Sequence, residues 1–133
     1  MRALVTGAGR RLGRAMALYL AGRGYDVAVH YAGSRDEAAE VAGEIRALGR
    51  RAETVAADVL IEEQVQTLIP RAVAALGGPL SVLVNNASIF EHDDFATATR
   101  ASWDRHIESN LRAPFVLTQA FAAQVAEPRP DAA

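Results

Sequence analysis

The chain has no cysteine and no lysine. The first absence excludes disulfides and thiolate metal sites. The second makes arginine the entire basic complement, 14 residues against 16 acids, for a formal net charge of −2. No basic block is long enough to follow a phosphate backbone, so nucleic acid is excluded as a partner. No apolar run approaches the roughly 20 residues that cross a bilayer, so no membrane span is expected. The three histidines, His30, His92 and His106, are scattered without metal-ligand spacing, and no metal site is expected. An apolar strand begins almost at Met1, leaving no room for a secretion signal, and the expected location is the cytoplasm.

What the chain does have is alternation. At 133 residues, 50% hydrophobic and 23% charged, it has the size and balance of one globular domain. Strands are predicted over 2–6, 26–31, 52–57 and 80–84. Helical stripes separate them: Leu12 to Leu20, Ala38 to Leu48, and Val65 to Leu76, the last expected to kink or split at Pro70. A long helix starts with Trp103 and runs to about Val125, and Glu127-Pro128-Arg129-Pro130 reads as a loop tip. Strands alternating with helices over short connections imply an α/β, Rossmann-like, doubly wound parallel sheet of order 3-2-1-4. In that order the fourth strand is an edge, yet Leu80 to Val84 is apolar enough for an interior. The sheet therefore reads as truncated, with its remaining strands absent. Residues 1–133 read as a single dinucleotide-binding domain, incomplete at the C-terminus.

Thr6-Gly7-Ala8-Gly9-Arg10-Arg11-Leu12-Gly13 joins the first strand to the first helix. Backbone N–H groups and the positive end of the helix dipole face one point there. A pyrophosphate fits, and side chains beyond hydrogen would block its approach. Arg10, Arg11 and Arg14 cluster at this helix start, where a small phosphate ligand is the simplest partner. About 20 residues on, at the end of the second strand, an acid would bond a ribose 2′-hydroxyl. His30 stands there instead, followed by Tyr31-Ala32-Gly33-Ser34-Arg35, with no carboxylate before Asp36. Serine, arginine and a helix N-terminus suit a 2′-phosphate, so NADP(H) is expected over NAD(H). Ser34-Arg35-Asp36-Glu37 is also a capping box, a role compatible with the first.

Three further positions carry two readings each. Asp58, in Ala57-Asp58-Val59, can accept from an adenine amino group or cap the next helix. The carboxamides of Asn85-Asn86-Ala87-Ser88 can tie neighbouring loops at the sheet edge, or simply populate a turn. Pro114 has no N–H to give the carbonyl of Asn110, which leaves that carbonyl to a water or ligand; a plain proline kink is the alternative.

Taken in order, Thr6 to Gly13, Ala57 to Val59, Asn85 to Ser88, and Asn110 in a long helix resemble the short-chain dehydrogenase/reductase family over essentially the whole chain. The resemblance implies an NADP-dependent oxidoreductase. It implies cofactor contacts from Thr6, Gly7, Arg10, Arg11, Leu12, Gly13, His30, Tyr31, Ser34, Asp58, Val59, Asn86, Ala87 and Ser88, with Asp58 at the adenine. It places Asn85 in a sheet-supporting motif. It makes Asn110 the catalytic asparagine, whose main-chain carbonyl holds a water of the proton relay. The family usually has glycine where Arg11 stands. Arg11, with His30-Tyr31, Ser34 and the run Asn85 to Phe90, is similar to the pteridine reductase branch. That implies a dihydropterin or dihydrofolate substrate lined by Arg11, Ser88 and Phe90, with the Phe90 ring stacked on the pterin. The alternatives are another carbonyl or alcohol substrate, or a nucleotide-binding chain without catalysis. The family's proton donor is a tyrosine with a lysine four residues on. The tyrosines here, Tyr19, Tyr25 and Tyr31, lie in the nucleotide half and no lysine exists, so residues 1–133 alone are expected to be inactive. The resemblance finally implies a homo-oligomer, most simply a tetramer, paired through the helix around 102–126.

Overall fold

Four short apolar segments form the sheet of the computed structural model, which describes residues 1–125: β1 (Arg2–Val5), β2 (Asp26–Tyr31), β3 (Ala52–Ala56) and β4 (Val82–Val84). All pair in parallel in the order β3-β2-β1-β4. Leu4 is level with Ala28 on one side and Leu83 on the other. Successive side chains leave opposite faces of a strand. Leu4, Ala28 and Val55 therefore enter one core, and Val5, Val27 and Val29 another.

Helices cover both faces. α1 (Arg11–Gly22) and α2 (Arg35–Ala47) bury Ala17, Ala21, Ala38, Val41, Ala42 and Ile45 against the Val5 face. α3 (Glu62–Leu76) and α5 (Ala113–Gln124) bury Val65, Leu68, Ile69, Ala72, Leu76, Val116 and Leu117 against the Leu4 face. Each fully buried Leu, Ile or Val side chain contributes about 1.5–3 kcal/mol by leaving water. Small alanines on α1 and α2 let those helices pack closely on each other and on the sheet. Among the described residues no helix is long and apolar enough to cross a membrane.

Three expectations need correction. Of the kink or split expected at Pro70, the split does not occur: α3 is one helix across it. Pro70 and Gln66, whose carbonyl loses its partner, are both exposed, so water can take the freed acceptor. The strand expected over 80–84 shrinks to Val82–Val84, and its residues are only half-buried because β4 pairs with β1 alone. Leu80 is buried, but in the preceding connection, where the carboxamide of Gln124 holds it. Gln124 Oε1 accepts the Leu80 N–H at 2.7 Å and Nε2 donates to the Leu80 carbonyl at 3.0 Å. The single long helix is instead α4 (Arg100–Ile107), a π-helical turn over Glu108–Arg112, and α5. In the π turn the Ala113 N–H donates to the Glu108 carbonyl, five residues back. The turn ends where Pro114, which has no N–H to give, enters α5. The tail expected as a loop tip, 127–130, lies outside the described residues.

Candidate functional site

The carboxyl ends of the strands open into a cleft of about 560 Å³. Its walls are Gly7 and the run Arg10 to Gly13 after β1, His30 to Ser34 after β2, Val59 after β3, and Asn86 to Ile89 after β4. In open parallel sheets ligands collect at this edge. The lining holds two arginines and no carboxylate, a donor set suited to an anionic ligand.

The glycine turn is shaped by the protein as much as for a ligand. Gly7 has φ +61°, a conformation other residues rarely adopt. At Gly13 a Cβ would stand 2.1 Å from the Gly7 carbonyl oxygen and 2.5 Å from Asn86 Nδ2. Glycine at 13 is therefore required by the packing of α1 on its own turn, a constraint beside the room expected for a pyrophosphate. Arg11 has φ +48°, left-handed and non-glycine. An L side chain held there costs on the order of 1–2 kcal/mol, and such strain gathers at functional sites.

Three side chains behind the cleft fix its geometry. Thr6 is buried. Its Oγ1 accepts the N–H groups of Asn86 and Ala87, both at 2.9 Å, and donates to the Val84 carbonyl at 3.2 Å. Asn86 Nδ2 returns to the carbonyls of Thr6 (3.0 Å) and Gly7 (3.2 Å). His30 is also buried; its Nδ1 accepts the Gly7 N–H at 3.0 Å and its Nε2 lies 2.9 Å from the Ala57 carbonyl. That pair of partners needs a neutral ring with the proton on Nε2. Burial pushes the His30 pKa down, the bond to Ala57 opposes the shift, and the charge of Arg71 adds to it. Thr6 is thus a hub outside the cleft lining, and His30 is a strut joining the glycine turn to the end of β3.

At the rim, the expected capping box is absent. Ser34 precedes α2 but its hydroxyl makes no capping bond. Glu37 pairs instead with Arg10 Nε. The Ser34 hydroxyl lies against Gly9, 3.1 Å from where a Cβ would be. Asp58 is neither in the lining nor a helix cap. Its Oδ1 accepts the Leu60 N–H at 2.9 Å, and α3 begins after Ile61 without a side-chain cap. Val59, beside it, does reach the cleft.

The loop tie expected of the asparagine pair belongs to Asn86 alone. Asn85 reaches away to Thr118 Oγ1 on α5 at 3.3 Å. Asn110 sits within the π turn, a distortion often found at functional sites. Its side chain, on which the sequence offered no reading, clamps Ile89: Oδ1 accepts the Ile89 N–H and Nδ2 donates to its carbonyl, each at 2.9 Å. Ser88 lines the cleft with Arg11, but Phe90 does not. Phe90 is largely exposed and lines a neighbouring apolar hollow of about 580 Å³ with Phe95, Trp103, His106 and Ile107. The three tyrosines do not share the cleft either; only Tyr31 borders it.

Comparison with known proteins agrees with this geometry. The family model described as short chain dehydrogenase matches residues 1–130. The 3-oxoacyl-acyl-carrier-protein reductase FabG of Staphylococcus epidermidis is 40% identical over 130 residues, 98% of this chain and 53% of that protein. The structure of FolM alternative dihydrofolate reductase 1 from Brucella suis in complex with NADP superposes with a TM-score of 0.90 at 36% identity, covering 96% of this chain and 52% of that one. A short chain dehydrogenase from Burkholderia cenocepacia in complex with NADP gives 0.90 at 40% identity, covering 95% and 51%. The chain spans about half the length of the curated relatives it matches.

Proposed function

The chain belongs to the short-chain dehydrogenase family, and from that premise we propose that it supplies the NADP(H)-binding half of a reductase. One observation carries the reading: Arg10, Arg11 and Ser34 line a single cleft at the strand ends, with no carboxylate in its walls. NADPH supplies a hydride when bound. This chain's own residues hold its 2′-phosphate by Arg10 and Ser34 and its pyrophosphate beside Arg11, keep the glycine turn open through Gly13 and His30, and place Ser88 at the reacting end. Val59, in the lining, serves the adenine, and Asp58 beside it holds the turn through its bond from the Leu60 N–H. The carbonyl of Asn110, opposite the missing N–H of Pro114, holds a water for proton transfer. Titration calorimetry of the chain with NADPH and NADH tests this. NADPH binds at least tenfold more tightly, since charge-assisted bonds to the 2′-phosphate contribute about 1.5–3 kcal/mol each. Ser34→Asp reverses the order. Equal affinities overturn the reading.

The substrate we propose is a dihydropterin or dihydrofolate. Arg11 and Ser88 share the cleft, and the FolM alternative dihydrofolate reductase is among the structural neighbours. Phe90, in the hollow beside the cleft, is the ring assigned to stack on the pterin. A second reading, reduction of an acyl or other carbonyl group, is favoured by the position of Phe90 outside the cleft and by the likeness to FabG. Hydride transfer also requires a proton donor. With no lysine and only Tyr31 near the cleft, residues 1–133 bind nucleotide without turnover. Exposed Trp103, Leu111 and Phe115 form the homotetramer contact, in a cytoplasmic enzyme. NADPH oxidation by the complete reductase across dihydrobiopterin, dihydrofolate, small ketones and acyl thioesters decides between the substrates. Activity confined to ketones or thioesters discards the pterin.

A further inference from the structure

We propose that Glu37 sets the cofactor preference of this cleft by competing with the 2′-phosphate of NADP(H) for Arg10, an inference that rests on the NADP(H) reading above. Arg10 is the residue immediately before α1 and reaches the cleft rim with extended backbone, φ −141° and ψ 159°. Glu37 lies in the first turn of α2 and is not part of the cleft lining. It is nevertheless one ion pair away, because its Oε2 engages Arg10 Nε. The Ser34 hydroxyl, also on the rim, is free of any capping bond. Arg10 and Ser34 are thus a cation and a hydroxyl available to a phosphate, and the carboxylate that engages the cation is Glu37. A phosphate dianion drawn to Arg10 must displace that carboxylate or share the guanidinium with it. A ribose 2′-hydroxyl meets no such conflict, since it needs no cation. Glu37 therefore holds NADP(H) affinity below what Arg10 and Ser34 would give alone, and leaves NAD(H) affinity untouched. Both side chains are partly exposed, at 63% and 43%, so the pair is weak enough to exchange.

The test is titration calorimetry of the full 133-residue chain with NADP⁺ and NAD⁺, in four forms: unchanged, Glu37→Gln, Arg10→Gln and the double variant. Glu37→Gln is expected to tighten NADP⁺ about three- to tenfold and to move NAD⁺ by less than twofold. In the Arg10→Gln background the gain disappears, because the competition acts through that guanidinium. Glu37 is partly exposed, with 43% of its side chain accessible, and belongs to neither core cluster, so its variant keeps the fold. An unchanged or weaker NADP⁺ affinity in Glu37→Gln overturns the proposal. So does an equal gain for NAD⁺, or a gain that persists without Arg10. Failure of the NADP(H) reading itself appears separately, as the absence of an NADP⁺ preference in the unchanged chain.

Discussion

Asn110 grips Ile89 at both of its backbone groups, donating to the carbonyl and accepting the N–H, each at 2.9 Å. The clamp ties the π turn to the loop carrying Ser88 and Phe90. A residue expected to act through its main-chain carbonyl thus also works through its side chain. Asn110→Ala removes both bonds and should cost about 1–2 kcal/mol, near the lower part of the range for two neutral hydrogen bonds because the site is solvent-accessible. Chemical denaturation measures it. In the complete reductase the same change should lower turnover modestly, through a loosened loop and helix, with the Asn110 carbonyl still present.

Two glycines in neighbouring helices should respond in opposite directions. Gly13→Ala drives a methyl into the Gly7 carbonyl and should destabilise by about 3 kcal/mol or more. Gly43, on the exposed face of α2, has nothing within 4 Å of an added Cβ. Gly43→Ala should stabilise by about 0.5–1 kcal/mol through helix propensity. Thermal melts of the two variants, compared with the parent, check both signs.

Arg11 stands with φ +48° where glycine would be at ease. Arg11→Gly should therefore leave stability unchanged or raise it by up to about 1 kcal/mol, the relief being offset by the entropy of an unfolded glycine. The same change should weaken nucleotide binding, since one of the two cleft arginines is lost. A variant that is both less stable and equally tight for NADPH would contradict this assignment of strain to function.

His30 makes stability fall on the acid side. Its pKa in the folded chain lies below the ordinary value of 6.5. The unfolded chain therefore takes up a proton first as pH drops. The stability His30 contributes is complete above about pH 6.5 and is lost as pH falls from there through its folded pKa. Protonated Nδ1 can no longer accept the Gly7 N–H, so the glycine turn loosens over the same window. Melting temperatures from pH 7.5 to 5 should drop more steeply for the parent than for His30→Gln, which keeps a donor and an acceptor without titrating. Parallel pH profiles would refute this role.

The strands and their order were legible because each is a short apolar run followed by a helical stripe, and right-handed crossovers leave few topologies. Most of the cleft was legible too, since the loops after four consecutive parallel strands share one edge. What escaped were partnerships between residues distant in sequence. Ser34 and Glu37 have the spacing of a capping box, but Arg10, contributed by another loop, engages the glutamate. Asn85 and Asn86 are chemically identical, and only the strand end decides which faces Thr6 and which Thr118. The π turn escaped because Trp103, Ile107, Leu111 and Phe115 recur every four residues straight across it, on a face that is partly exposed. The left-handed Arg11 did have a signal: an arginine where the resembled family usually has glycine.

The carboxamides of Asn110 and Gln124 hold the two ends of the segment from Leu80 to Ile89, and both belong to the same helical arm. Between them the arm acts as a ruler. An α-helix turns about 100° for each residue, so inserting or deleting one residue after the π turn would swing one carboxamide to the wrong side of the arm. Substitutions at the exposed positions of this stretch should be absorbed, those at buried Ala113, Val116 and Leu117 should not, and a change in length should uncouple β4 from one of its anchors. Spacing, more than side-chain identity, is the quantity this part of the chain has to keep.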